Sequence, residues 1–310
     1  MMSYKVWCKM PELILKYNPK ILEQAAPIEM PPLDKLLYAN FEKELVDIVL
    51  AVKAQILNTI SNKDFNEDMH KHSPGLKGFN WKLYLLASSV RVLRMLNLLE
   101  NLVPQGSHVL DFGSYFGNFS LAAKWAGYKV TAVDFYNQYG NNFTELVYIL
   151  RQNDITVLDA ETFAYDIKVN AILMMGVIEH IPHTPRIVLN NIKKLVARQG
   201  VLILETPNLA YIYKRRRLME GYSPYPNIQD QYFTEIPFAG HHREYTIDEI
   251  EWMLSIEGFK ILKKHMYNYS YLSNTHITDD VKDVLIAGQN DLQQRELILV
   301  GAYYDGNSVG

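Results

Sequence analysis

The stretch "VLDFGSYFGNFSLAAKWAGYKVTAVDFY", residues 109 to 136, limits the folds open to this chain more than any other segment. An apolar run carries Asp111 near its end, turns through Gly113 and Gly117, opens a helical pattern near Asn118, and returns as an apolar run ending in Asp134. This strand-turn-helix-strand unit belongs to a doubly wound sheet, whose ligand lies beyond the carboxyl ends of the strands and closest to the first turn. Glycines let the backbone approach that ligand, and the helix start directs unpaired N–H groups at it. Asp134, 23 residues after Asp111, is placed to accept hydrogen bonds from two ribose hydroxyls. The unit therefore suits an adenosine-bearing ligand.

Apolar strands alternate with helices from Val109 onward, the pattern of a parallel sheet covered on both faces. Strands are expected near 108-111, 129-134, 155-158, 171-175, 201-205, 259-267 and 296-303, giving an α/β, Rossmann-like, seven-stranded, mostly parallel sheet. Thr184-Pro185 supplies a helix start with Gly200 as its stop, and Thr246 with Glu249 makes a capping box closed by Gly258. Ahead of the sheet, residues 1 to 32 end in "AAPIEMPP" and read as an arm. Leu37, Phe41, Leu45, Ile48, Val52 and Ile56 mark one amphipathic helix, and a second runs from about Trp81 to Leu102. The expected division is an arm and helical cap over 1-104 and a sheet domain over 105-310. Residues 207 to 240, rich in tyrosine and proline, read as a lid, and residues 268 to 295 form a second irregular insertion.

Charge and cysteine content narrow the partners. Lysine plus arginine number 31 against 34 aspartate plus glutamate, so the net charge of -3 gives no global case for nucleic acid or an anionic membrane. No segment reaches the roughly 18 apolar residues of a spanning helix, and the start lacks a leader pattern. Cys8 is the single cysteine, which suits a reducing compartment and excludes an internal disulfide. The expectation is a cytoplasmic protein; a homo-oligomer is compatible with the sequence.

A dinucleotide site wants G-x-G-x-x-G, but the spacing here is Asp111-x-Gly113-x-Tyr115-x-Gly117. An acid on the first strand would repel a pyrophosphate and suits a positively charged α-amino group instead. At this point the chain resembles the class I S-adenosylmethionine-dependent methyltransferases, whose first motif reads approximately D-x-G-x-G-x-G. The resemblance covers about residues 105 to 303, including "ITVLDAE", "AILMMGVIEHI", "VLILETPN" and "ELILVGAYY". It is nearest to the branch with "EHI" after the fourth strand and "H-x-REYT" before the penultimate helix, here Glu179-His180-Ile181 and His241 to Thr246. The resemblance implies S-adenosylmethionine as cofactor, with Gly113 beneath its methionine moiety, Asp134 on the ribose and Asp159 on the adenine amino group. Met175 and Gly176 would lie beside the transferring methyl, with Asp111, Tyr115 and Gly117 completing the set. Tyr115 stands where the family has its middle glycine, and either covers the cofactor or points into solvent.

Methyl transfer to an alcohol needs a nucleophile held near the methyl and a base for the hydroxyl proton, and a histidine backed by a carboxylate is the expected device. The candidates are His180, beyond the fourth strand, and His241 or His242, re-entering from the lid. Against them stand helix capping for His180 and packing for the lid pair. Relatives in the quinone-biosynthesis branch carry E-x-x-E-H and hold a divalent ion there. Gly176 replaces the first glutamate, leaving Glu179 and His180, so no metal is expected. The run Lys214 to Arg217 beside Tyr211, Tyr213, Tyr222, Tyr225 and Tyr232 is either a solvated helix face or a grip on an anionic acceptor. Tyr211, Tyr213, Arg215 and Arg243 are the candidate substrate contacts. The expected activity is O-methylation of a small polar acceptor such as a sugar or nucleotide sugar, without nucleic-acid or membrane partners. An N- or C-acceptor and a methyltransferase-like binding module without turnover stay open. A nicotinamide-dependent oxidoreductase is opposed by Asp111 and Tyr115.

Overall fold

The structure, a computed structural model, describes residues 41-60, 81-225, 228-234, 238, 240-269 and 291-306. Cys8, the N-terminal arm and most of the 268-295 insertion lie outside the described residues. Two helices come first, α1 (Lys43–Ile60) and α2 (Trp81–Leu102). Then follow β1 (His108–Phe112), α3 (Asn118–Trp125), β2 (Lys129–Asp134), α4 (Thr144–Gln152), β3 (Thr156–Asp159) and β4 (Val169–Met175). After them come α5 (Arg186–Leu195), β5 (Val196–Pro207), α6 (Ile212–Met219), α7 (Ile228–Tyr232), α8 (Ile247–Ile256), β6 (Phe259–Tyr267) and β7 (Leu297–Tyr304).

The sheet is seven-stranded in the order β3-β2-β1-β4-β5-β7-β6. β1 to β5 pair in parallel, and β7 runs antiparallel between β5 and β6. Strand order reverses between β1 and β4, so the crevice of a doubly wound sheet opens at the carboxyl ends there. The register sets Asp134 beside Asp159, and Met175 beside Glu205, at that rim.

Alternation along the strands assigns the two faces. Leu110, Ile172, Met174, Leu202, Leu204, Ile298, Val300 and Ala302 share one core with Leu189 and Ile192 of α5 and Ile250 and Leu254 of α8. On the opposite face Asp111 meets Ser120 of α3, and Gly301 receives α2, where any Cβ would lie 2.5 Å from Leu102 Cδ1. The buried stripe of α1 is Leu45, Val49, Val52, Ile56 and Ile60. Val49 takes the inward place expected of Ile48, and Leu37 lies outside the described residues. With α2 packed on α1, α3 and the sheet, both helices belong to the compact unit that begins at Phe41.

Gly200 does not stop the helix after Thr184, as the sequence suggests. α5 ends at Leu195 and β5 begins at once, with Gln199 at φ 63° and a register shift opposite Val169 and Ala171. A Cβ on Gly200 would lie 2.8 Å from Val196 Cγ2 and 2.9 Å from the carbonyl oxygens of Ala197 and Asn170, so that glycine serves the irregular strand start. The capping box is formed: Thr246 Oγ1 accepts the Glu249 N–H, and the Glu249 carboxylate accepts the Thr246 N–H at 2.9 Å. Among the described residues no helix is long and apolar enough to cross a membrane.

Candidate active site

Two polar clusters sit on the rim of the crevice, one at the ends of β1 to β3 and one beyond β4 and β5. The first is organised by Asp134. Its Oδ2 accepts the Tyr115 N–H at 2.6 Å, and its Oδ1 accepts the Phe135 N–H at 2.7 Å and the Tyr139 hydroxyl. Burial raises its pKa, and the three bonds it accepts pull the other way. Asp159 accepts one N–H per oxygen, from Asn137 at 2.8 Å and Glu161 at 3.0 Å, leaving a lone pair on each.

Asp111 is 1% exposed and accepts the Ser120 hydroxyl at 2.5 Å and also the Ser120 amide, so it satisfies an orphan N–H in the first turn of α3. Burial pushes its carboxyl up to about 7, helped by the neighbouring Asp134, while the Ser120 bonds work against the shift. Gly113 (φ 82°) and Gly117 (φ 74°) take the left-handed turns that glycine permits. A Cβ on Gly113 would lie 2.3 Å from Val177 Cγ2, so the segment after β4 rests against the first turn. Tyr115 occupies the left-handed region at φ 47°. Its ring joins an aromatic group of Trp81, Phe116, Tyr139 and Phe143, at centroid separations of 4.4 to 5.9 Å.

The second cluster begins at the end of β4. Met175 is half-buried, and Gly176 (φ 67°) is held by its N–H to the Glu205 carbonyl. A turn, Ile178–His180, presents Glu179 and His180. Glu179 is 2% exposed, its Oε2 accepts the Thr206 hydroxyl at 3.0 Å, and burial raises its pKa, against the pull of His180 and Arg91. The lid's last segment is fastened here by main chain: the N–H groups of His242 and Arg243 both donate to the Glu179 carbonyl, at 2.8 and 3.3 Å. Leu209 donates to the Tyr245 carbonyl. The fastening brings the His180 and His241 rings edge to face at 4.8 Å.

His241 Nδ1 lies 2.8 Å from Glu244 Oε1, and the other oxygen of Glu244 pairs with Lys214. Burial pushes the imidazole down to about 3, and the nearby His180, Lys214 and Arg91 add to the shift, so it is neutral at physiological pH. His242 instead turns Nε2 to the Phe238 carbonyl at 3.1 Å. Arg243 pairs with Glu249 on α8, away from His241.

The basic run divides along α6. Lys214 points inward to Glu244, and burial pushes its ammonium down to about 8 despite Glu296 and Glu179. Arg215 holds the Ala210 carbonyl, Arg216 pairs with Glu220, and Arg217 holds the Ser223 carbonyl with its guanidinium over Tyr222. Tyr211 is buried and Tyr213 half-buried, with ring centroids 6.2 Å apart.

Sequence reasoning missed Arg91, Glu205, Tyr139, Thr206 and the pairing of Glu244. Arg91 of α2 donates through Nε and Nη2 to Glu205 Oε1, and Tyr267 donates to Glu205 Oε2, with Glu205 fully buried. Nothing in the local sequence links partners 114 positions apart. The Glu244 pairing had a signal, since His241 and Glu244 are three residues apart.

A parallel sheet reversing between β1 and β4, an antiparallel β7 and acids closing β1, β2 and β3 define a class I methyltransferase. The methyltransferase-domain family model matches residues 88–264, and the chain belongs to that family: it is an S-adenosylmethionine-dependent methyltransferase. No curated protein matches the sequence. Among solved structures it is similar to Burkholderia thailandensis 1,6-didemethyltoxoflavin-N1-methyltransferase, at 13% identity over 69% of this chain and 77% of that one, TM-score 0.44. It is also similar to magnesium protoporphyrin IX methyltransferase from Synechocystis PCC 6803, at 17% identity over 73% and 88%, TM-score 0.46. A putative sarcosine dimethylglycine methyltransferase from Galdieria sulphuraria gives 12% identity over 82% and 99%, TM-score 0.48.

The donor set fits the cofactor's groups. Asp159 has a lone pair free on each oxygen for an amino group, and Asp134 has one on Oδ2, with a second on Oδ1 wherever the Tyr139 side chain turns away.

Proposed function

We propose that the chain methylates an oxygen of a small polar acceptor, a sugar or nucleotide sugar, with S-adenosylmethionine held by Asp111, Gly113, Asp134 and Asp159. The observation that carries this is the placement of His241, braced at Nδ1 by Glu244 2.8 Å away and facing His180 beyond β4. An aliphatic hydroxyl does not ionise unaided, so a polar centre at this edge of the crevice is what an oxygen acceptor needs. The bound cofactor supplies an electrophilic methyl on a sulfonium. The chain's own residues hold the acceptor, exclude water and meet its hydroxyl at His241. Half-buried Tyr213, beside the buried Tyr211, is the ring placed to meet a sugar, and the arginines of α6 suit an anionic group on it.

The test is an acceptor screen read by release of S-adenosylhomocysteine, followed by single variants on whichever acceptor turns over. His241→Ala is expected to lower turnover by about 10²-10⁴-fold while cofactor affinity stays within twofold of wild type, because the histidine serves the acceptor alone. His242→Ala should change turnover little. Full turnover in His241→Ala, or a screen in which only amines are methylated, would remove the reading.

A further inference from the structure

We propose that Glu179, His180 and His241 bind one divalent transition-metal ion of the zinc type. One donor atom from each lies within 4.8 Å of the other two, and side-chain movements of up to about 1 Å would bring them to the roughly 3.4 Å spacing of tetrahedral ligands about 2.0–2.2 Å from a common ion. A count of two ligands considers only the turn after β4; the third comes from the lid. Main-chain bonds from His242 and Arg243 to the Glu179 carbonyl set that approach, so the convergence does not rest on side-chain rotamers alone.

The surroundings of the three donors are those of a ligand set. Glu244 takes the Nδ1 side of His241, which fixes the tautomer and leaves Nε2 as the free nitrogen. Thr206 occupies Oε2 of Glu179 and leaves Oε1. Gly176 keeps that face open, since a Cβ there would stand 3.3 Å from Glu179 Oε1 and 2.9 Å from Arg91 Nη2. The nearby cations are already matched, Arg91 by Glu205 and Lys214 by Glu244, so the carboxylate of Glu179 remains to meet the ion's charge. Two imidazoles and one carboxylate select a first-row transition ion over magnesium or calcium, which take oxygen. Three protein ligands leave an open position, as catalytic sites do.

This proposal rests on the oxygen-acceptor reading and gives His241 its chemical role, that of a ligand. A hydroxyl on the open position is acidified and loses its proton to solvent. Its oxygen then bonds the methyl carbon as the carbon-sulfur bond breaks, and the electron pair stays on sulfur. The products are a methyl ether, S-adenosylhomocysteine and one proton.

The experiment uses untagged full-length chain stripped with chelator, titrated with Zn²⁺ by calorimetry and with Co²⁺ by visible absorption. One ion per chain is expected. Loss of a ligand in His180→Ala or His241→Ala should weaken binding by more than roughly 100-fold, and Glu244→Gln by roughly 10- to 100-fold. The exposed His183→Ala should bind as wild type, and unchanged circular dichroism and S-adenosylhomocysteine binding certify each fold. No stoichiometric ion, or equal affinity in the ligand variants, overturns the metal site. Metal-free protein that methylates a hydroxyl at full rate overturns the ion's part in the transfer, while leaving O-methylation standing. A bound ion in a protein that methylates only amines supports the site and sinks the acceptor reading instead.

Discussion

Replacing Tyr139 by phenylalanine should make the protein bind S-adenosylhomocysteine more tightly. A carboxylate offers about four lone-pair sites. Asp134 spends one on the Tyr115 N–H, one on the Phe135 N–H and one on the Tyr139 hydroxyl. A ribose diol brings two donors to one remaining place, so if Asp134 holds the ribose, Tyr139 must leave when the cofactor arrives. A hydrogen bond to a charged group is worth about 1.5–3 kcal/mol net, and the freed hydroxyl recovers part of that in water. Removing the bond in advance should therefore gain roughly 1.4 kcal/mol, or about tenfold in Kd. The cost falls on the free protein: Asp134, 6% exposed, loses a donor, so the melting temperature without ligand should drop while the complex melts as wild type. Calorimetric titration and thermal melts with and without ligand check both halves. Asp134→Asn is the companion measurement, expected to weaken binding more than tenfold. Wild-type affinity in Tyr139→Phe beside a weakened Asp134→Asn would mean that the ribose does not displace Tyr139. Unchanged affinity in both would remove Asp134 from the ribose.

Three further outcomes follow from the same geometry. Because burial raises Asp111 to about 7 in the folded chain, its favourable contribution is present in acid and is lost as pH climbs from the unfolded value near 4 to about 7. If its ionised form meets the cofactor's α-amino group, affinity should rise by up to about tenfold per pH unit up to about pH 7 and then level off; a flat profile, or the same slope in Asp111→Asn, would place the amino group elsewhere. Glu205→Ala should cost about 3–5 kcal/mol in urea unfolding, since it strands the buried Arg91 guanidinium and the Tyr267 hydroxyl; a loss under 1 kcal/mol would show that the pair is not needed. Neutralising Arg215, Arg216 and Arg217 together should raise KM for an anionic acceptor with kcat nearly unchanged, and the effect should shrink in added salt; a salt-independent change would point to packing.

The sheet was legible because each strand buries an alternating or continuous apolar run, and that signal is local; the places of Asp111, Asp134 and Asp159 were legible because they lie at or next to the ends of those runs. What escaped the sequence is of another kind. Gly200 looked like a helix stop because a glycine after an amphipathic run usually is one, yet its neighbours in space, Val196, Ala197 and Asn170, make it part of a strand irregularity. For Tyr115 the solvated alternative stayed open because the partners of its ring, Trp81 and Phe143, come from elements 34 residues before and 28 after it. The second cluster shows the limit most plainly. "EHI" holds two potential ligands and "HHREYT" a third, but whether two segments 60 residues apart meet depends on where the lid's end is fastened, and that is decided by two backbone amides on the Glu179 carbonyl. Backbone amides carry no residue code, so any side chain at 242 other than proline would donate the first of those bonds. The convergence of Glu179, His180 and His241 is thus written partly in hydrogen bonds that the sequence does not spell, and substitutions that loosen the lid's end should disturb that group without touching any of its members.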